Sequence, residues 1–202
     1  MIEQARFELI EEKYGHWASW AVWADAGEKP KSNIGDLSIF EIHNRDSLLC
    51  QLRPDVVLVG LNISGRPIEG RLGNLHDGRA LYSQDYKLRH ALKGTSLWGA
   101  YMTDIIKDFE EKACGKMMAY LRSNKSFERD NVECFREELR DLGAAQPRIM
   151  AFGVDAFTVL DRNLGEEYTI RMMPHYSNYI SQENYSKAIR SIVEWQDVQP
   201  HV

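Results

Sequence analysis

Three short polar segments each follow an apolar run, and between them they carry residue types that bind and polarise small ligands. They are Gly60-Leu61-Asn62-Ile63-Ser64-Gly65, then Thr103-Asp104, then His175-Tyr176-Ser177-Asn178-Tyr179. The Asn62 amide can position a water but cannot act as a base. His175 can donate to an oxygen on which negative charge develops, a role typically worth about 3–4 kcal/mol. An ionised Asp104 only accepts hydrogen bonds, which suits a donor-rich edge such as an exocyclic amine and repels phosphate. Asn, Asp, Ser and Gly are also ordinary turn residues, so each one alone reads as well as turn chemistry. Three segments meeting at one rim read as a site.

Several other chemistries are absent. Ser64 is not a nucleophile elbow, because Asn62 and Arg66 stand where that turn needs glycines. Gly65, Gly70 and Gly73 are followed by no Gly-Lys-Ser/Thr, and no G-x-G-x-x-G follows the first apolar run. The six histidines, at 16, 43, 76, 90, 175 and 201, show no metal-ligand spacing, so neither a metal nor another cofactor is expected. Cys50, Cys114 and Cys134 are odd in number and lie far apart. They form no disulfide framework and read as reduced, structural thiols; Cys134 shares a helical pattern with Phe135 and Leu139.

The elements that must hold the polar segments follow from periodicity. Pro54-Asp55-Val56-Val57-Leu58-Val59-Gly60 is a β-branched run behind a proline, which predicts a strand buried on both faces. Further strands are expected at Leu97–Met102 (with Thr103-Asp104 just past its end), Arg148–Gly153 and Tyr168–Met173. Phe7, Ile10, Tyr14, Trp17 and Ala21 repeat at helical spacing and predict one amphipathic helix over about 2–24. Other helices are expected at about 44–52 (capped by Asn44 or Asp46), 84–93, 113–122, 131–142, 154–164 and 182–196. Strands alternating with helices imply a three-layer αβα sandwich on a mainly parallel four-stranded sheet, with residues 1–202 as one domain. Ligands of such sheets bind outside the carboxyl ends of the strands, where the three polar segments fall.

The ordered motifs resemble those of the uracil-DNA glycosylase-like superfamily. Gly60-Leu61-Asn62 is similar to its first motif, closest to the Gly-hydrophobic-Asn-Pro-Gly form of the mismatch-specific branch. Tyr101–Lys107 looks like its middle segment, a strand ending in Thr-Asn and often followed by a lysine. Met173-Pro174-His175-Tyr176-Ser177 is similar to its His-Pro-Ser motif. The resemblance spans roughly residues 54–180, and it implies hydrolysis of the N-glycosidic bond of an altered or mismatched base in DNA. Asn62 would then orient the attacking water and His175 would stabilise the departing base, making these two the catalytic pair. Gly60, Leu61, Ser64, Asp104, Ser177 and Asn178 would hold the base, and Tyr179 would fill the gap it leaves in the duplex. The chain departs from the pattern at Ile63-Ser64 for Pro-Gly, at Asp104 for Asn and at Tyr176 for Pro.

Charge bears on the partner. The chain of 202 residues is 44% hydrophobic and carries a net charge of −5. Six Lys/Arg against three Asp/Glu nevertheless lie between Leu61 and Gly94, so Arg66 and Arg71 are the expected phosphate contacts. No run approaches the roughly 20 apolar residues of a membrane span, and the charged N-terminal stretch does not read as a signal peptide, so a cytoplasmic protein is expected. Two functions follow: a DNA N-glycosidase, or a superfamily member that binds a nucleobase, nucleotide or protein partner without cleaving anything. The acidic total and the motif departures favour the second, the motif order and the locally basic stretch the first.

Overall fold

Alternation along one buried strand sets the layers. In β2 (Arg53–Asn62), Val57, Val59 and Leu61 face one apolar cluster while Val56 and Leu58 face the other, because successive strand residues point to opposite sides. The computed structural model describes residues 2–63, 68, 70–77, 83–107 and 109–197. Its other strands are β1 (Ser19–Trp20), β3 (Ala100–Ile106), β4 (Arg148–Phe152) and β5 (Ile170–Met173). They form one five-stranded sheet in the order β1-β3-β2-β4-β5, parallel except for β1.

On one face lie α1 (Gln4–Tyr14), α2 (Arg45–Leu49), α4 (Cys114–Ser123), α5 (Lys125–Leu142) and α6 (Gly153–Leu164). On the other lie α3 (Asp85–Leu92) and α7 (Gln182–Asp197), which bring Leu88, Ala91, Leu92, Tyr185 and Ile189 onto the sheet. The fold is therefore an α/β three-layer sandwich. The chain runs from β2 outward to β3, then crosses back to β4 on the other side of β2. The order reverses between β2 and β4, which opens a crevice at their carboxyl ends.

Five expectations need correction. The sheet has five strands because the helix expected to run to residue 24 stops at Tyr14. The Gly15 and Ala18 amides still bond the Glu11 and Tyr14 carbonyls, but Ser19 and Trp20 then pair antiparallel with Met102 and Tyr101. Trp20 packs on Phe7 and edge-on to Tyr101, so its apolar surface is buried as well from a strand as from a helix. The second expected strand is shifted: β3 begins at Ala100 and runs through Thr103-Asp104, which lie inside it. Helix α5 begins at Lys125, six residues before the expected 131, and Asn44 donates to the Ser38 carbonyl without capping α2. The cysteines are free, but Cys50 and Cys114 are exposed and only Cys134 is partly buried, so the buried structural role fits at most Cys134.

Candidate functional site

The register of β2 against β3 builds the floor of the site. Gly60 pairs with Asp104 and Asn62 with Ile106. A Cβ on Gly60 would lie 2.2 Å from Asp104 Oδ1, so only glycine leaves room for this carboxylate. Asp104 is buried, and burial pushes its carboxyl up to about 6 from the ordinary 3.8. Asn74 Nδ2 donates to Asp104 Oδ2 at 3.1 Å and to the Trp17 carbonyl at 2.7 Å.

Asn62 closes the end of β2. Its Nδ2 faces the carbonyls of Ile63, Phe109 and Glu111 at 3.0, 3.0 and 2.9 Å. Three acceptors around one end of the amide identify that end as the NH2, so Oδ1 is the group left to face the cavity.

His175 stands past β5. Gly153, with φ +82, starts α6 at the tip of β4, and a Cβ there would meet His175 Cβ at 3.5 Å. The His175 ring stacks on Tyr176 at 4.6 Å between centroids, with Phe152 edge-on to both. The backbone N–H of Ser177 donates to Nδ1 at 3.2 Å, and Ser177 Oγ lies 2.8 Å from the same nitrogen. With Nδ1 accepting, the neutral ring carries its proton on Nε2. Burial holds the imidazole below its usual value, which favours that neutral form. The turn itself is tied down: the Asn178 amide bonds the His175 carbonyl, and Lys87 of α3 reaches the Asn178 carbonyl at 3.3 Å.

Gly60, Leu61, Asn62, Asp104, His175, Ser177 and Asn178 all line one cavity of about 980 Å³ at the carboxyl ends of β2, β3, β4 and β5. Asn74, Phe152 and the first turn of α6 line it too and were missed in the sequence; Asn74 sits between Gly73 and Leu75 with nothing local to single it out. Tyr179 is fully exposed one residue past the cavity lining. Ser64 and Arg66 lie outside the described residues.

Arg71 is not with the others. Its guanidinium caps α1 by donating to the Glu11 and Glu12 carbonyls at 2.7 and 3.0 Å, and it lines a separate hollow beside Arg45. Other members of the basic stretch are also engaged within the fold. Arg89 donates to the carbonyls of Ala24 and Pro30, and Lys93 pairs with Asp25 at 2.6 Å. A cation that does stand at the cavity is the exposed Lys112.

Among the described residues, no group of three or more His, Cys, Asp or Glu is placed to hold a metal, and no helix is long and apolar enough to cross a membrane. Comparison with protein-family models, curated proteins and solved structures finds no match to this chain.

Proposed function

We propose that the chain is a uracil-DNA glycosylase-like N-glycosidase that takes an altered or mismatched base from DNA into the cavity and hydrolyses its N-glycosidic bond. The observation that carries this reading is that one cavity is lined both by a neutral His175 whose Nε2–H is available and by an Asn62 whose Oδ1 is available. A water accepted by Asn62 Oδ1 attacks the sugar carbon; the carbon–nitrogen bond breaks and its electron pair leaves with the base. The His175 Nε2–H stabilises the charge that grows on the base carbonyl, and the water's proton reaches the departing base through solvent. Tyr179, exposed one residue past the cavity lining, replaces the extruded base in the stack in this reading.

A second reading has its own support. Arg71, Arg89 and Lys93 are engaged within the fold, which leaves less charge for a duplex and favours a free nucleobase or nucleotide ligand.

Duplexes carrying uracil, hypoxanthine, xanthine or mismatches, scored for abasic sites, separate the two. The first reading expects abasic sites in at least one duplex, with His175→Ala slower by about 100- to 1000-fold. If no duplex in the panel is cleaved, the second reading takes its place.

A further inference from the structure

Three of the side chains that line the cavity, Asn62, Asn74 and Asp104, have only acceptors to spare. Asn62 has its NH2 on three backbone carbonyls and Asn74 has its NH2 on Trp17 and Asp104. Both amides therefore offer only an oxygen. Asp104 adds a carboxylate, one oxygen of which takes the Asn74 bond while the other lies over Gly60. Three side chains that line the cavity thus have acceptors to spare, while His175 Nε2–H is a donor in the same cavity.

The backbone around Asn74 is built to keep it there. Leu72 and Leu75 flank it at φ +61 and +64, a conformation that costs a leucine on the order of 1–3 kcal/mol. Leu72 is nonetheless fully buried, its amide bonded to the Gly15 carbonyl and its carbonyl to Ser19 Oγ. These contacts fix the turn that carries Asn74, and its own bonds to Trp17 and Asp104 fix the amide.

Taking the cavity as the base pocket proposed above, we propose that it selects a guanine-type edge, an exocyclic amine and a ring N–H side by side next to a carbonyl. The amine and ring N–H donate to the acceptors of Asp104 and Asn74, the carbonyl meets His175 Nε2–H, and Asn62 Oδ1 keeps the water of the proposed reaction. Uracil fits badly. Its edge is one N–H between two carbonyls, and a carbonyl set against this acceptor wall leaves buried acceptors facing one another. Asp104 is the specificity-determining residue.

Isocytosine carries the guanine-type edge on a single soluble ring, and with uracil it forms the test pair. In calorimetric titration at about pH 8, where Asp104 is ionised, the wild-type protein is expected to bind isocytosine at least about tenfold more tightly than uracil. Asp104→Asn, which returns an NH2 donor to the wall, is expected to reverse that order. Asn74→Ala, which frees the carboxylate, is expected to weaken isocytosine without improving uracil. Equal or tighter binding of uracil by the wild-type protein, or binding of neither base, overturns the assignment. Should the Asn variant melt early, the wild-type pair and Asn74→Ala still decide. Isocytosine selectivity with no abasic sites in any duplex would leave this assignment standing and remove the N-glycosidase. Release of uracil from DNA without isocytosine selectivity would do the opposite.

Discussion

At the scale of single residues, Asp104 matters most because its environment opposes its charge. Its carboxyl sits against Gly60, and the favourable effects of Asn74 and Lys107 do not offset its burial. A carboxyl raised from 3.8 to about 6 binds its proton more tightly folded than unfolded. Its contribution to stability is therefore largest below about pH 4 and falls as pH rises to about 6, above which the ionised group carries a constant penalty. Asp104→Asn removes that penalty. The variant is expected to be more stable than wild type by up to about 3 kcal/mol at pH 8, with the gap closing near pH 4. Thermal melts of both proteins across that range read the difference directly, and titration of His175 cancels because both contain it. A variant less stable than wild type at pH 8 would show that the carboxylate is better satisfied than its surroundings indicate.

At the scale of elements, β3 separates two polar systems on its two faces. Asp104 faces the cavity, while Tyr101 and Thr103 lie under α5, where Lys107 pairs with Glu138 at 2.7 Å. Both charged groups are buried. Tyr101 donates to Glu138, Lys107 Nζ to Thr103, and the ammonium lies 5.6 Å from the centre of the Trp17 ring. The lysine that the family resemblance marked after the middle strand thus holds β3 to α5. Removing one partner leaves a buried charge unpaired, so Lys107→Met and Glu138→Leu are each expected to cost about 3–5 kcal/mol. The double variant Lys107→Met/Glu138→Leu is expected to recover most of that loss, because packed apolar groups replace a desolvated pair at little net cost. Additive losses in urea unfolding would mean that the pair is not coupled.

At the scale of the whole molecule, the DNA binding that the proposed function requires depends on where the cations point. The sequence concentrates them between Leu61 and Gly94, yet Arg71 caps α1, Arg89 holds the carbonyls of Ala24 and Pro30, and Lys87 braces the His175 turn. Lys112, by contrast, stands exposed at the cavity. Each phosphate contact contributes about −0.9 to the slope of log affinity against log salt. Fluorescence anisotropy on a short duplex should therefore give a shallow slope, roughly −2, that Lys112→Ala makes shallower by about 1. Arg71→Ala should leave the slope unchanged and lower only stability. A slope that responds to Arg71 and ignores Lys112 would put the duplex on the α1 side of the molecule.

What the sequence determined by itself was whatever depends on local chemistry. The β-branched run Val56–Val59 can bury both faces only in a central strand, and the polar residues at the end of β2 and past β5 fall at the carboxyl edge of the sheet, where the cavity lies. Tertiary structure decided what depends on partners distant in the chain. The spacing of Tyr14, Trp17 and Ala21 suits a helix, but the open edge of β3 recruits Ser19 and Trp20 as a strand. Nothing local places Asp104 opposite Gly60, since that is a matter of register between β2 and β3. Nor does composition reveal which ends of Asn62 and Asn74 face the cavity, or that Arg71 is occupied 60 residues back along the chain. Hydrogen bonds to backbone carbonyls made these choices, because a buried carbonyl must find a donor wherever the fold brings one near.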